Sequence, residues 1–418
     1  MKKTKLILLL MACCLLLSWS VEAKTTIRFI KWPGANYDPA KDPDVVIVEQ
    51  FNKTHPDIEV QLEVIADYFE KLMVQLAGGV YPDVLKVDAA TISEMKPMGI
   101  LEELTPYLEK NSSFAASLWP IATSTKPICG GIFAIPTDIQ PNAIYYNVDY
   151  FAGAGILDPN VLADRNNWHW DTFLAAAKKL TVDTSGDGTP DIWGYKGNLQ
   201  NWPIFVEMAG GKVYSDDGRS LVIDRAAMEG LEFMRDLIHT HRVWTTKAPY
   251  YTTAFPEGSA SMILATVRYV NIYRDEARME WDTALIFGRT ADQPYRERFR
   301  PGGLAICSQS PHKDAAWEFI QYFLGYESQL TYVKAGLIPM NRRAAASPEL
   351  LDPHKPPKHM NIFLQALERG IPNTDPVVPK TVTNTLNTEL NKVWNRGEPV
   401  QTIIEGIRPT INALLKEY

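Results

Sequence analysis

Five residues between 183 and 191 have the types and spacing of a calcium-binding loop, four of them through side chains and Thr189 through its backbone carbonyl. Oxygen-bearing residues occupy alternate positions around two glycines, and the predicted ligands are Asp183, Ser185, Asp187, Thr189 and Asp191. Calcium prefers oxygen ligands, and an EF-hand-like loop supplies them from positions one, three, five, seven and nine. Position twelve is Gly194, where such a loop has a bidentate glutamate, so a distant carboxylate or a water would have to complete a tight site.

The same stretch is also typical of an Asp- and Gly-rich turn, held by local side-chain hydrogen bonds after a helix that ends near Leu180. Both interpretations stay open on the sequence alone. A single closed oxygen site with no base beside it predicts no chemistry, so any bound Ca²⁺ would be structural. We expect no catalytic cofactor.

Length and charge narrow the classes of function. The 418 residues are enough for two domains. The formal net charge is −7, from 42 Lys and Arg against 49 Asp and Glu, and it is spread along the chain without a basic block. A surface that follows nucleic-acid phosphates needs clustered Lys and Arg, so we exclude nucleic acid as a partner. The nucleophile-elbow, zinc-protease, dinucleotide and P-loop motifs are also absent from the sequence.

The first 23 residues predict a secretory signal. Three lysines precede a short apolar run, and small residues at Val21 and Ala23 favour cleavage after Ala23. An alternative is the stretch "LMAC", which resembles a lipoprotein box and would leave an anchor on Cys13. Either cleavage predicts a periplasmic or extracellular protein.

Two cysteines, Cys129 and Cys307, follow this segment. In an oxidising compartment such a pair forms a disulfide if the fold brings the sulfur atoms together. The alternative is two small buried residues that never meet. The sequence does not decide between them.

Strand and helix patterns alternate along the chain. Apolar residues are concentrated in the predicted strands at 25–30, 58–64, 82–88 and 142–147, and at 58–64 they alternate strictly with polar residues. They recur at helical spacing in the predicted helices at 44–55, 68–77, 170–180, 224–241 and 314–324. The second of these helices is expected to begin with a capping box of Asp67 and Glu70. This rhythm predicts an α/β protein with right-handed crossovers and a mostly parallel sheet.

Seven segments fall in the order and spacing of one known family. They include "FNKTHPDIEVQLEV", "DYFEKLMVQLAGGVYPDVLKVD", "IYYNVDYFAGAGI", "NWHWDTFLAAAKKLTVDTSGDGTPDIWGY" and "GGLAICSQSPHKDAAWEFIQYFL". The remaining two are "AFPEGSASMILA" and "AGLIPMNRR". From about residue 25 to the end, the chain resembles the extracellular solute-binding proteins of family 1. These are the carbohydrate-binding components of ABC importers, and maltose-binding protein is one of them.

This resemblance implies a two-lobe α/β fold of the type II periplasmic-binding-protein class, with the ligand cleft between the lobes. By analogy, the N-terminal lobe comprises 24–139 and 301–339, and the C-terminal lobe comprises 140–300 and 340–418. The resemblance further implies a non-catalytic monomer whose closed form delivers a carbohydrate, expected to be an oligosaccharide, to an ABC permease.

The resemblance also indicates where the solute binds. Ligands of open α/β sheets lie beyond the carboxyl ends of strands, and a sugar needs aromatic faces with polar side chains around them. The candidate contacts after strands are Trp32, Asp88, Trp202, Arg268 and Tyr269, and those in the crossing segment "PTDIQPN" are Gln140 and Asn142. Each also has a structural alternative: the aromatic residues could be core or rim residues, Asp88 a helix cap and Arg268 a surface charge. Arg268–Tyr269 stands where the family often has tryptophan, a departure that favours an acidic sugar.

Two rival functions remain. A secreted carbohydrate-active hydrolase would need two opposed carboxylates, and the sequence has enough acidic residues to supply them. A binder of an amino acid, a polyamine or glycerol phosphate would need charged groups in the cleft, for which Arg268, Arg342 and Arg343 are available.

Overall fold

The computed structural model describes residues 24–33, 37–123, 130–299, 302–373 and 375–417. The predicted signal segment 1–23, the anchor at Cys13 and the predicted partner Cys129 lie outside these residues. Cys307 lies inside them and is fully buried.

The described strands are β1 (Thr25–Lys31), β2 (Ile58–Val64), β3 (Val84–Val87), β4 (Asp138–Ile139), β5 (Asn142–Asn147), β6 (Met262–Thr266), β7 (Trp281–Ala284), β8 (Arg298–Phe299), β9 (Gly303–Ile306), β10 (Ile338–Pro339) and β11 (Ile371–Pro372). The helices of the first half are α1 (Pro43–Thr54), α2 (Tyr68–Ala77), α3 (Ala89–Met95), α4 (Thr105–Lys110), α5 (Ser112–Ser117), α6 (Val148–Gly153), α7 (Pro159–Asp164), α8 (Trp170–Lys179) and α9 (Trp202–Met208). Those of the second half are α10 (Arg225–Ile238), α11 (Tyr251–Ala254), α12 (Tyr269–Glu276), α13 (Lys313–Phe323), α14 (Tyr326–Lys334), α15 (Arg342–Ala345), α16 (Ile362–Arg369), α17 (Lys380–Arg396) and α18 (Val400–Lys416).

The first sheet has the strand order β2-β1-β3-β9. β1 runs parallel to β2 and β3, whereas β9 is antiparallel to β3. Alternation along β1 sends Ile27 and Phe29 to one core and Ile30 to another, so both faces of this sheet are covered. The strands predicted at 25–30 and 58–64 are confirmed.

The second sheet has the order β6-β5-β7, and both of its pairings are antiparallel. The prediction of a mostly parallel sheet is therefore wrong for this part of the chain. β5 lies between two later strands that run against it, an orientation that the alternation of strands and helices does not encode. Ile144 and Tyr146 pack into the core beneath α8 and α10, and Ala143 and Tyr145 face the opposite core.

Two short ribbons lie where the chain passes from one sheet to the other. β4 pairs with β10 and leads within three residues into β5 of the second sheet. β8 pairs with β11 and is followed by β9 of the first sheet. The chain crosses here in short strands.

The N-terminal caps of α2 and α3, beside the first sheet, differ from each other. Asp67 precedes α2 with a left-handed φ of 53° and makes no capping hydrogen bond, so the predicted capping box with Glu70 is wrong. By contrast, Asp88 caps α3, and its carboxylate accepts the Thr91 backbone N–H at 2.8 Å. No helix within the described ranges is long and apolar enough to span a membrane.

Candidate functional site

Two adjoining cavities open beyond the ends of β1, β3 and β4. The larger has a volume of about 860 Å³ and the smaller about 310 Å³. Four side chains line both of them: Trp32, Lys86, Asp138 and Gln140. Residues Arg268, Asn271 and Ile272, at the start of α12, close the larger cavity from the side of the second sheet. We call the two cavities together the cleft.

Trp32 supplies the aromatic surface of the cleft. It follows β1 directly and is half-buried. Its ring packs edge-on against Tyr68, with the ring centroids 5.4 Å apart and the planes at 77°. This contact fixes the indole while leaving part of it open to the cleft, which suits stacking against the C–H face of a sugar ring.

Tyr68 packs against Trp32 and lines neither cavity. It is 7 % exposed, and its hydroxyl has no hydrogen-bond partner within the described residues. Burial, and then the negative charge of Asp88, raise the pKa of the Tyr68 hydroxyl, so it stays a neutral donor. Tyr68 therefore acts on the cleft through the Trp32 ring that it supports.

A buried ion cluster forms the floor of the larger cavity. Asp44 is 1 % exposed; its Oδ2 accepts from Lys31 Nζ at 2.5 Å and from Lys86 Nζ at 2.8 Å. The Tyr332 hydroxyl donates to the other carboxylate oxygen, and Lys31 also donates to Asp42 at 2.6 Å. Burial alone would raise the pKa of Asp44, but the Lys86 and Lys31 charges outweigh it and hold that pKa below its ordinary value.

Asp138 and Gln140 project into the cleft from β4 and the residue after it. Gln140 Nε2 donates to Asp138 Oδ2 at 3.2 Å, and the Thr137 hydroxyl donates to Asp138 Oδ1 at 3.1 Å. The Asp138 carboxylate offers acceptors to the cleft, and the Gln140 amide offers both a donor and an acceptor. Gln140 lies where the sequence predicted it.

Asp138 and Lys86 were missed by sequence reasoning. Each lies two residues before a predicted contact, Gln140 and Asp88 respectively. A lysine within a strand reads as a solvent-facing side chain, so the pattern gave no reason to select Lys86. The signal that could have found both is that each belongs to a short strand that leads to a predicted contact.

Two more predicted residues reach the cleft. Asp88 lines the smaller cavity and is exposed, while one of its oxygens caps α3. Its functional and structural interpretations are therefore compatible. Arg268 lines the larger cavity and is exposed.

Three predicted contacts lie elsewhere, and each is corrected. Trp202 is 4 % exposed in the core of the second sheet, where its Nε1 donates to Asn387 Oδ1 at 2.8 Å. Tyr269 lines neither cavity and stacks on Tyr273 with centroids 5.6 Å apart. Asn142 turns away from the cleft because its amide and backbone N–H bind Glu297.

The predicted calcium loop is closed by its own hydrogen bonds. Asp183 accepts from the backbone N–H groups of Gly186 at 2.6 Å and Gly188 at 2.8 Å. Asp191 Oδ2 accepts from Thr184 and Ser185 at 2.6 to 2.8 Å, and Asp187 accepts from the Thr189 N–H at 2.7 Å. The hydrogen bond from the Gly188 backbone N–H, followed by that from Gly186, lowers the pKa of Asp183.

The fold leaves no room for a glutamate side chain at position twelve of this loop. Gly194, at the position of the missing glutamate, packs so closely that a Cβ there would lie 2.0 Å from the Ala177 carbonyl oxygen. No group of three His, Cys, Asp or Glu side chains that could hold a metal ion occurs in the described part of the chain. The geometry is that of the Asp- and Gly-rich turn, and calcium binding remains a prediction from the sequence.

The comparison with known proteins agrees with a solute-binding cleft. Residues 39–330 match the model of the family described as bacterial extracellular solute-binding protein. An erythritol/L-threitol-binding protein of Mycolicibacterium smegmatis is 27 % identical over 347 residues, which cover 76 % of this chain and 70 % of that protein.

Two solved structures have a similar fold. The sugar-binding protein MalE from Xanthomonas citri superimposes with a TM-score of 0.78 at 19 % identity, covering 94 % of this chain and 98 % of that one. An ABC substrate-binding protein from Listeria monocytogenes, in complex with cycloalternan, gives a TM-score of 0.70 at 23 % identity, covering 93 % and 98 %. These similarities confirm the predicted two-lobe, type II fold.

The family is one of binding proteins and not of enzymes, which confirms the prediction of a non-catalytic role and removes the hydrolase alternative. The match covers well over half of the chain. The protein belongs to the bacterial extracellular solute-binding proteins.

Proposed function

We propose that this protein is the substrate-binding component of an ABC importer, and that it captures a neutral carbohydrate, an oligosaccharide, in its cleft. The observation that carries the proposal is Trp32, half-buried and lining both cavities beside Lys86, Asp138 and Gln140. A flat aromatic face surrounded by hydrogen-bonding groups of both kinds matches a sugar, which has C–H faces and many hydroxyls.

The volume of the cleft supports an oligosaccharide. The larger cavity alone measures about 860 Å³, near the upper end of the roughly 300 to 1,000 Å³ usual for ligand sites. One similar protein is named for the four-carbon polyols erythritol and L-threitol, and another was solved with cycloalternan. The volume of the cavity favours a ligand of oligosaccharide size over a four-carbon polyol.

The charges around the larger cavity support a neutral solute. Four cations line the larger cavity, and so do four carboxylates: Lys31, Lys41, Lys86, Arg268, Asp38, Asp42, Asp44 and Asp138. An anion such as glycerol phosphate or a uronate would need an excess of positive charge, and a polyamine would need the reverse. We therefore propose a neutral sugar and not the acidic sugar that Arg268 suggested.

We further propose that the two sheets define the lobes, at 24–139 with 301–339 and at 140–300 with 340–418, and that a monomer closes on its solute. A solute that contacts Trp32 from one lobe and Arg268 from the other binds the closed form better, so it shifts the equilibrium towards closure. The closed form then docks on the permease. The family is extracellular. We propose two ways in which the N-terminal segment is processed: cleavage after Ala23, which releases the protein, or lipidation of Cys13, which anchors it.

A thermal-shift screen tests the proposed function. The mature protein is melted with neutral oligosaccharides, four-carbon polyols, uronates, amino acids, polyamines and glycerol phosphate, and each mixture is then analysed for sugar breakdown. A solute at about one hundred times its dissociation constant stabilises the folded protein by about 2.7 kcal/mol, enough to raise the melting temperature visibly. A shift with intact neutral oligosaccharide supports the proposal. Shifts confined to charged solutes, or cleavage of the sugar, would overturn it.

A further inference from the structure

Lys86 lies on β3 at the point where the two cavities of the cleft meet. Its side chain is 16 % exposed, and it lines both cavities together with Trp32, Asp138 and Gln140. Most lysines keep the ammonium in water, so a lysine buried at a binding cleft is uncommon and needs nearby partners.

The hydrogen bonds of Lys86 leave donors unused. An ammonium has three N–H donors, and within the described residues Lys86 donates to one acceptor, Asp44 Oδ2, at 2.8 Å. Lys31 differs, since it contacts both Asp42 and Asp44 and lines the larger cavity only. Lys86 therefore has N–H groups left for an acceptor inside the cleft.

The charge of Lys86 is balanced from behind. Burial alone would lower its pKa, but the carboxylates of Asp44 and Asp138 outweigh burial and raise it, so the side chain stays protonated. Asp44 is almost completely buried and is held in place by the Tyr332 hydroxyl and Lys31. A charged donor whose charge is already compensated favours a hydroxyl or ring oxygen over an anion.

We propose that Lys86 is a specificity-determining residue, which donates a hydrogen bond to one oxygen of the solute stacked on Trp32. Asp44 acts through Lys86 as a positioning residue and does not touch the solute. This inference rests on the proposed carbohydrate function and assigns the donor on which recognition of one particular sugar hydroxyl depends.

The test compares Lys86→Met with the matched control Lys31→Met. Each variant takes one ammonium away from Asp44, so both disturb the ion cluster, but only Lys86→Met removes the donor that faces both cavities. The probes are maltotriose and arabinotriose, with erythritol as the four-carbon probe, and then the monodeoxy forms of whichever probe binds. Affinities are measured by titration calorimetry, and folding by circular dichroism. If Lys86→Met does not fold, Lys86→Gln, which has a shorter neutral donor, replaces it.

We expect Lys86→Met to lose affinity by about 10- to 100-fold, the range for a hydrogen bond to a charged group, and Lys31→Met to lose clearly less. One monodeoxy probe should bind wild type more weakly than the parent sugar yet bind Lys86→Met as well as the parent does. Equal losses in the two variants, or deoxy penalties unchanged by Lys86→Met or its Gln replacement, would overturn the inference while leaving the carbohydrate function intact. Failure of every sugar to bind wild type would overturn the proposed function, and this inference with it.

Discussion

The side-chain amide of Asn142 donates to Glu297 Oε1 at 2.5 Å, and the Asn142 backbone N–H lies 3.0 Å from Oε2. This contact joins the first residue of β5 to the residue before β8, so it ties together two segments that cross between the sheets. Glu297 is 8 % exposed. Burial, opposed by the Asn142 hydrogen bonds and assisted by the Glu207 charge, raises the pKa of Glu297 to about 8.

The raised pKa predicts a pH dependence of stability. Between the ordinary carboxyl pKa of 4.5 and the folded value of about 8, Glu297 stays protonated when folded and ionises when unfolded. The unfolded state then binds fewer protons, so the contribution of Glu297 to the free energy of unfolding falls as pH rises, by at most about 1.4 kcal/mol per pH unit. Glu297→Gln does not titrate. The stability of wild type minus that of the variant, measured by urea unfolding, should fall across this window. A constant difference would contradict the raised pKa.

Two tryptophans should respond in opposite ways to substitution by alanine. Trp202→Ala removes a fully packed indole, and we expect it to lower the free energy of unfolding by roughly 3 to 5 kcal/mol with little effect on solute affinity. Denaturant unfolding and titration calorimetry measure the two quantities. A stable Trp202→Ala protein with weakened sugar binding would restore Trp202 as a contact.

Trp32→Ala is the complementary variant. Its indole is half-buried beside the cleft, so we expect weaker sugar binding, by about tenfold or more, with a much smaller loss of stability than Trp202→Ala. The quenching or enhancement of Trp32 fluorescence on sugar addition, absent in Trp32→Ala, identifies the contact directly. An unchanged affinity would remove Trp32 from the site.

Ionic strength should hardly affect solute binding. The proposed solute is neutral, and cations and carboxylates are equal in number around the larger cavity, so long-range attraction contributes little to binding. The dissociation constant should therefore stay within about twofold from roughly 0.01 M to 1 M salt. Titrations across that range measure it. An affinity that falls steeply with added salt would indicate a charged solute.

The sequence pattern predicts Ca²⁺ at the 183–191 turn, whose carboxylates also accept backbone N–H groups, so removal of calcium should lower the melting temperature. Melts with EDTA and with added Ca²⁺ check this. A melting temperature lowered by EDTA and restored by Ca²⁺ would establish the loop indicated by the sequence pattern, with a ligand from outside the turn. An unchanged melting temperature would contradict calcium binding there.

The sequence predicted the elements better than it predicted their partners. β2 follows from strict alternation, β1 and β5 from short apolar runs, and α8 from helical spacing, because these patterns are local. The antiparallel second sheet does not follow, since β5 pairs with β6, which is far along the chain.

The same distinction explains the site. Trp32 and Gln140 line the cleft as predicted, because the end of a strand and the segment that crosses between lobes can be read locally. Trp202 was predicted at the cleft because its burial cannot be read locally. The residues that surround it come from distant parts of the chain, including Asn387, 185 positions away. Lys86 was missed because its counter-ion, Asp44, is supplied by α1, 42 positions earlier.

The place of β9 at the edge of the first sheet bears on how the chain folds. β3 ends at Val87 but pairs with β9, which begins at Gly303, after all three strands of the second sheet. Until β9 is available, one edge of β3 has unpaired N–H and C=O groups, a surface that invites association with other chains. Closing this sheet is also a slow, long-range step. A fragment that ends before Gly303 should therefore associate, which size-exclusion chromatography would detect, whereas a monomeric fragment would mean that another segment covers the edge of β3.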